Sequence, residues 1–153
     1  MSRKKCRRKV WNTTINPVTH ALMGAAITPA AELNKLRVKE LNAVDAFAEG
    51  RATLADFDTA CALLNLCEYM ASNKVGPEAL EACGRAEDAL RQAAANMEAT
   101  GRMELDADGV LALRDVYLFH DLQRQSVSRS EYERAIFKTF ERVKNKAPGV
   151  VEL

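Results

Sequence analysis

Glycine, proline and aromatic residues are scarce in this chain of 153 residues. It contains seven glycines, four prolines, five phenylalanines, three tyrosines and one tryptophan. Folds built from many short strands need more turn residues and more β-branched or aromatic side chains, so the composition argues against an all-β protein. Hydrophobic residues nevertheless make up 48% of the chain. Wholesale disorder is therefore excluded, because disordered chains are poor in hydrophobic residues.

The chain also lacks a hydrophobic run of the roughly 18 to 20 residues that a membrane span requires. Its basic N-terminus leads into a polar stretch at residues 12–14 instead of the apolar segment of a signal peptide. The four cysteines, Cys6, Cys61, Cys67 and Cys83, form no C-x-x-C pair. We therefore expect a cytoplasmic protein whose thiols are reduced and pack as small hydrophobic side chains.

Capping residues, prolines and glycines divide most of the chain into helices. The pattern predicts an all-α fold, a single-domain helical bundle of five main helices plus a short N-terminal helix at residues 18–26. The main helices are expected at about residues 30–49, 54–74, 77–100, 107–125 and 129–146. By this division, residues 1–15 are a basic, flexible N-terminal arm, residues 16–147 are the bundle and residues 148–153 are a C-terminal tail.

The spacing of apolar residues predicts which side of each helix packs inward. The helix at 54–74 is the most apolar and should be central, and the alanine-rich helix at 77–100 should approach a neighbour closely. Leu36 and Leu41 are expected to face the core from the first main helix. The last helix has an expected buried line of four residues, namely Tyr132, Ile136, Phe140 and Val143.

The net charge of +1 conceals three blocks of opposite sign. Residues 1–9 carry +6, residues 10–122 carry −8 and residues 123–146 carry +4, and Glu152 adds −1. The positive charges of the first block are Arg3, Lys4, Lys5, Arg7, Arg8 and Lys9, and Trp11 follows them. In the last helix, basic residues recur every four positions, at Arg134, Lys138, Arg142 and Lys146.

These residues are the candidate binding site for nucleic acid or another acidic partner. Clustered lysines and arginines neutralise phosphates with little regard for base sequence, and Trp11 could stack on a base or insert at an interface. Two alternatives remain open. The arm is a solubilising tail whose Trp11 and Ile15 pack on the bundle, and the basic side of the last helix is a solvated face.

His120 is the first candidate for chemistry. His120 and Asp121 form the adjacent pair found in metal-dependent phosphohydrolases, but those enzymes need further His and Asp ligands. The only other histidine, His20, lies a hundred residues away. We expect His120 to pack on its helix with a ring nitrogen bonded to a carbonyl or a carboxylate.

Glu68 is the second candidate, because it follows Asn65 in an apolar run where burial would raise its pKa. No carboxylate or histidine three or four residues away completes a catalytic pair. We expect Asn65 or Glu68 to bond to another helix instead. The chain also has no glycine-rich phosphate loop and no nucleophile elbow. The sequence therefore predicts no enzymatic activity, no catalytic residue, no cofactor and no metal ion.

A local pattern resembles small helical accessory proteins encoded by bacterial prophages. It consists of residues 50–53 (Gly-Arg-Ala-Thr) followed by Asp56, and then residues 64–68 (Leu-Asn-Leu-Cys-Glu). Together with Asn16-Pro17 and the segment 35–42, the resemblance covers about two thirds of the chain. It implies an accessory protein of a phage or mobile element that acts by binding host machinery, including defence systems. It implies no catalytic residues.

Two functions follow as expectations. The first is a non-enzymatic protein that binds a host protein or a nucleoprotein complex and inhibits or redirects it, with a host defence system as one target class. The alternative is an accessory protein that binds RNA or DNA through the basic arm and the basic last helix. Neither involves a membrane. The apolar positions beyond those a small bundle needs, Leu63, Leu66 and Phe119, also suggest a homodimer.

Overall fold

The computed structural model describes Leu22, residues 24–26 and residues 28–151. Five α-helices follow one another: α1 (Ala30–Ala48), α2 (Leu54–Ser72), α3 (Leu80–Thr100), α4 (Ala107–Ser126) and α5 (Arg129–Lys144). A 3₁₀ turn, Pro77–Ala79, leads into α3, and the described residues form no strand. The predicted all-α bundle is confirmed. Of the predicted N-terminal helix, Leu22, Gly24 and Ala25 have helical backbone, and its other residues lie largely outside the described part.

Local capping explains where the helices begin. Thr53 and Asp56 form a capping box at the start of α2, and Ser128 and Glu131 form a second one at the start of α5. In a capping box each side chain bonds the other residue's backbone N–H, which satisfies donors that the helix leaves free. Asp106 caps α4 by accepting from the Gly109 N–H at 2.7 Å. These boundaries match the predicted ones within about two residues.

Helix α2 lies at the centre of the bundle and packs against all four other helices. Nine of its 19 residues are buried, including Phe57, Leu64 and Cys67. The described thiols, Cys61, Cys67 and Cys83, are free and buried, as the sequence predicted. None of the described helices has the length and apolar content needed to cross a membrane.

The predicted close approach of the alanine-rich helix is confirmed between α3 and α4. A Cβ placed on Gly109 would lie 2.9 Å from the Cβ of Ala89, a distance that real Cβ atoms do not reach. The absence of a side chain at Gly109 therefore sets how closely the two helices pack.

The segment after α5 folds back onto α2. The Asn65 side chain donates to the Val151 carbonyl and accepts from the Val151 N–H, both at 3.0 Å. Val151 is 2% exposed, so this residue of the predicted tail is part of the core. Asn65 is thus bonded as expected, although its partner is the backbone of the returning segment and not another helix.

The predicted inward face of α5 is wrong. The helix buries Tyr132, Ala135 and Thr139, whereas Ile136 is 44% and Phe140 65% exposed. A step of four residues advances about 40° beyond a full turn, so a line that starts at Tyr132 leaves the core within two steps. Small residues at positions 135 and 139 let α5 lie against α2 on the other side. In α1, the expected core residues Leu36 and Leu41 are likewise exposed.

Candidate functional site

A cluster of buried polar side chains joins three helices on one side of α2. It is called the polar network below and consists of Arg37, Glu40, His120, Asp121, Gln123, Arg124 and Tyr132. His120, Gln123 and Arg124 are at most 2% exposed. Buried polar groups at this density are costly unless each finds a partner, so their hydrogen bonds determine what the cluster can do.

The protonation state of His120 follows from its partners. The Gln123 amide nitrogen donates to the carbonyls of Cys67 and Val75 at 3.1 and 2.8 Å, so its oxygen points to His120. His120 Nδ1 lies 3.1 Å from that oxygen and must donate to it. His120 Nε2 is then the acceptor for the Tyr132 hydroxyl, also at 3.1 Å. Every polar atom of the imidazole has one partner, and the ring is neutral.

Burial keeps both the His120 imidazole and the Tyr132 hydroxyl in their neutral forms. Desolvation, reinforced by the nearby Arg124 charge, lowers the pKa of His120 to about 3. Desolvation also raises the pKa of Tyr132 to about 12. Near neutral pH, His120 is therefore not an imidazolium that could act as an acid, and the lone pair of Nε2 accepts from the Tyr132 hydroxyl. The predicted packing role of His120 is confirmed, with the Gln123 amide carbonyl as the partner of Nδ1.

An ion pair closes the network toward α1. Arg124 Nη1 donates to Glu40 Oε1 at 2.9 Å, and Nη2 lies 2.8 Å from Oε2. Burial raises the pKa of the Glu40 carboxyl, and the Arg124 charge limits the rise. Asp121 accepts two bonds from Arg37, at 2.7 and 3.0 Å, and a third from Arg124 at 3.2 Å. Burial works to raise the pKa of Asp121, but Arg37 and Arg124 outweigh it and hold that pKa below its ordinary value.

The polar network stabilises the arrangement of the helices. It fixes α4 to α1 through two arginine–carboxylate pairs, to α5 through Tyr132, and to the end of α2 through Gln123. Of these residues, His120 was a candidate from the sequence, whereas Gln123 and Arg124 were not. A signal existed, because the buried positions of α4 continue at intervals of three and four residues through Leu113, Val116 and His120 to Gln123.

The pKa values of two cysteine thiols and of Glu68 are raised as well. Burial raises the pKa of the Cys61 thiol to about 12, and a hydrogen bond with Cys83 together with burial raises that of Cys67. Protonated thiols are poor nucleophiles. Burial raises the pKa of Glu68 as predicted, against the opposing charge of Arg142. Glu68 lies beside Gly149 of the returning segment, and no histidine within the described part of the chain is among its neighbouring charges.

The four basic residues predicted on the last helix have different surroundings in the structure. Arg134 is exposed, but Lys138 Nζ lies 2.8 Å from a Glu141 oxygen. Arg142 lies over the Tyr69 ring and donates to the Pro148 carbonyl at 3.3 Å. Lys146 follows the end of α5 with a backbone φ of 48°. The arm residues Arg3, Lys4, Lys5, Arg7, Arg8, Lys9 and Trp11 lie outside the described residues.

An exposed row of leucines on α4 was not predicted. Leu111, Leu118 and Leu122 are each more than half exposed. At 100° per residue they fall within an arc of about 40°, along about 16 Å of helix. They lie opposite the buried side of α4, and we call them the leucine row. Their spacing of seven and four residues is the signal that the sequence held.

A second apolar surface lies between α2 and α5. A groove of about 300 Å³ is lined by residues of both helices and by Val151. Within the described residues, no three His, Cys, Asp or Glu side chains are grouped so as to hold a metal ion. The geometry therefore offers surfaces for apolar contact and a rigid frame behind them.

Comparison with known proteins gave no relative. No family model matches the chain, and neither a curated protein nor a solved structure is detectably similar to it.

Proposed function

We propose that this protein is a non-enzymatic binding protein and that its leucine row is the surface on which a protein partner docks. The observation that carries the proposal is the alignment of Leu111, Leu118 and Leu122, each more than half exposed, on one line of α4. Isolated surface leucines are ordinary, but contiguous apolar surface is characteristic of interaction sites. Leu118 and Leu122 are one helical turn apart, whereas Arg114 and Asp115, charged residues of both signs, lie between Leu111 and Leu118.

The chemistry of the row fits an amphipathic helix of the partner. Leucines spaced by seven and four residues present the ridge that a second helix meets with its own apolar positions. The polar network holds the opposite side of α4 rigid, so little ordering of this helix is required on binding. Burial of each half-exposed leucine contributes on the order of 1 kcal/mol.

The resemblance to prophage accessory proteins supports a bacterial host protein, or a host nucleoprotein complex, as the partner. Inhibition of a host defence system is one way in which such binding would act. The neutral state of His120 and the raised pKa values of the Cys61 and Cys67 thiols support a role in binding and not in catalysis.

The test is affinity capture from bacterial lysate with matched variants. The double variant Leu118→Asp/Leu122→Asp should lose a protein that the wild type retains in stoichiometric amount. Leu54→Asp is the control, because Leu54 is about half exposed at the start of α2, away from the row. Retention of the same protein by the double variant, or no stoichiometric partner with the wild type, would overturn the proposal.

A second candidate is binding of RNA or DNA, and the observation that favours it is the +6 charge of residues 1–9. On α5, Arg134 and Lys144 are exposed and take part in no described ion pair, so the arm with its six positive charges would supply most of the affinity. Deletion of residues 1–9 should then weaken binding steeply and flatten its dependence on salt concentration. Unchanged binding in the truncated chain would reject this candidate.

A further inference from the structure

The groove between α2 and α5 is apolar and half open. Leu66 of α2 faces Ile136, Phe140 and Val143 of α5 across it, and Cys61 forms part of its floor. Phe140 is the most exposed of these residues. A cavity of about 150 Å³ already admits a benzene ring, so a groove of about 300 Å³ has room for a larger aromatic side chain.

A buried hydroxyl in this groove has no partner. Thr139 lines the groove and is 7% exposed, and its Oγ1 makes no hydrogen bond to any described residue. An unpaired buried hydroxyl costs about 1 to 3 kcal/mol, and nearly all such groups in native proteins are satisfied. Thr139 therefore leaves an unpaired hydroxyl in the lining of a largely apolar groove.

The chain enters the described part of the structure beside the start of α5. The Ala26 carbonyl accepts from the Arg129 N–H at 2.8 Å. A Cβ placed on Gly24 would lie 3.3 Å from the Ser130 Cβ. Gly24 and Ala26 thus lie beside the start of α5, and residues farther along the same helix line the groove.

We propose that residues 10–18 of this same chain lie across α5 and that the Trp11 side chain occupies the groove. The segment reads Val-Trp-Asn-Thr-Thr-Ile-Asn-Pro-Val, with Trp11, Ile15 and Val18 as apolar anchors and no charged residue. The indole N–H and the neighbouring hydroxyl and amide groups provide the polar partner that Thr139 lacks.

The segment is long enough to reach. From Ser130 to Val143 the helix rises about 20 Å at 1.5 Å per residue. The eleven steps of the chain from Trp11 to Leu22 span up to about 36 Å when extended at about 3.3 Å each. The chain between Trp11 and Leu22 is therefore long enough for Trp11 to reach any point of the groove, even if part of that chain is helical.

Tethering favours this occupant over a second copy of the chain. A segment joined by a short linker is present at an effective concentration in the millimolar range, far above that of a second molecule in a typical preparation. The arm of residues 1–9 directly precedes the segment, and the carboxylate Asp58 in the groove lining has the opposite charge to the arm.

The test uses the single tryptophan of the full chain as its reporter. In the wild type we expect blue-shifted Trp11 emission and protection from acrylamide quenching, both independent of protein concentration. Phe140→Asp should shift the emission to the red and raise the quenching constant at least threefold. Phe140→Ala should give an intermediate change, and Leu122→Asp on α4 should give none.

The helix content of each variant is measured by far-ultraviolet circular dichroism. This measurement distinguishes loss of the fold from release of the segment. Solvent-like Trp11 emission in the wild type would overturn the proposal. So would emission that Phe140→Asp leaves unchanged while the helix content is retained. A blue shift that grows with concentration, together with a dimer by light scattering, would assign the groove to a second copy and overturn it as well.

Discussion

Lowering the pH below about 6.5 should destabilise this protein through His120. The pKa of His120 is lowered to about 3 in the folded state by burial and by Arg124, whereas an exposed histidine has a pKa of about 6.5. Between about pH 3 and pH 6.5, His120 is protonated in the unfolded chain but stays neutral in the folded chain. Stability is therefore lost as the pH falls from about 6.5 toward 3, and the loss is complete only below the folded-state pKa.

The size of the effect follows from the same linkage. One proton taken up on unfolding changes the free energy of unfolding by about 1.4 kcal/mol for each pH unit, so the fall from pH 6.5 to pH 5 costs about 2 kcal/mol. The groups around the imidazole are Gln123, Asp121 and Arg124 on α4, Tyr132 on α5 and Glu40 on α1. Glu40 has the opposite effect on stability above pH 4.5. Its pKa is raised in the folded state, so the folded chain binds protons more strongly there and its stability increases as the pH falls.

The measurement must therefore isolate His120 from Glu40. We would determine the free energy of unfolding by urea titration at pH 7, 6 and 5 for the wild type and for His120→Gln, which keeps a polar side chain of similar size. The difference between the two proteins should change by about 1.4 kcal/mol per unit below pH 6.5, in favour of the variant. Parallel pH profiles would refute the reasoning, since they would mean that His120 does not resist protonation in the folded state.

Two further predictions concern packing. Asn65→Ala should lower the free energy of unfolding by about 2 to 4 kcal/mol, because two buried backbone groups of Val151 lose their partner. Asn73→Ala, at the exposed end of α2, should cost under about 0.5 kcal/mol. Gly109→Ala should destabilise by about 1 to 3 kcal/mol through overpacking against α3, whereas Gly84→Ala, with open space around it, should stabilise by about 0.5 to 1 kcal/mol. Urea titration measures all four, and a stable Gly109→Ala protein or a harmless Asn65→Ala change would contradict the packing described above.

The helix boundaries were predictable because their causes are local. A capping box such as that of Thr53 and Asp56 is complete within four residues, and Gly50 and Gly101 end their helices with positive φ. Neither needs knowledge of the rest of the chain. The central place of α2 was predictable for a related reason, since only a helix surrounded by others can be apolar on most sides.

The orientation of α5 was not predictable from its own pattern. Two apolar arcs compete on this helix, one through Ile136 and Phe140 and one through Ala135 and Thr139. The larger side chains favour the first by hydrophobicity, but the smaller ones allow closer contact with α2, and only the tertiary packing decides between them. The polar network was hidden for the same reason, because the partners of Gln123 lie 48 and 56 residues away in the sequence.

The proposal that the leucine row is a protein-binding surface is tested most directly by titration of the purified captured partner into the chain. Isothermal titration calorimetry should give saturable 1:1 binding to the wild type and to Leu54→Asp. The double variant Leu118→Asp/Leu122→Asp should bind at least tenfold more weakly, since each lost apolar contact is worth on the order of 1 kcal/mol. Equal affinity of the double variant and the wild type would contradict the account.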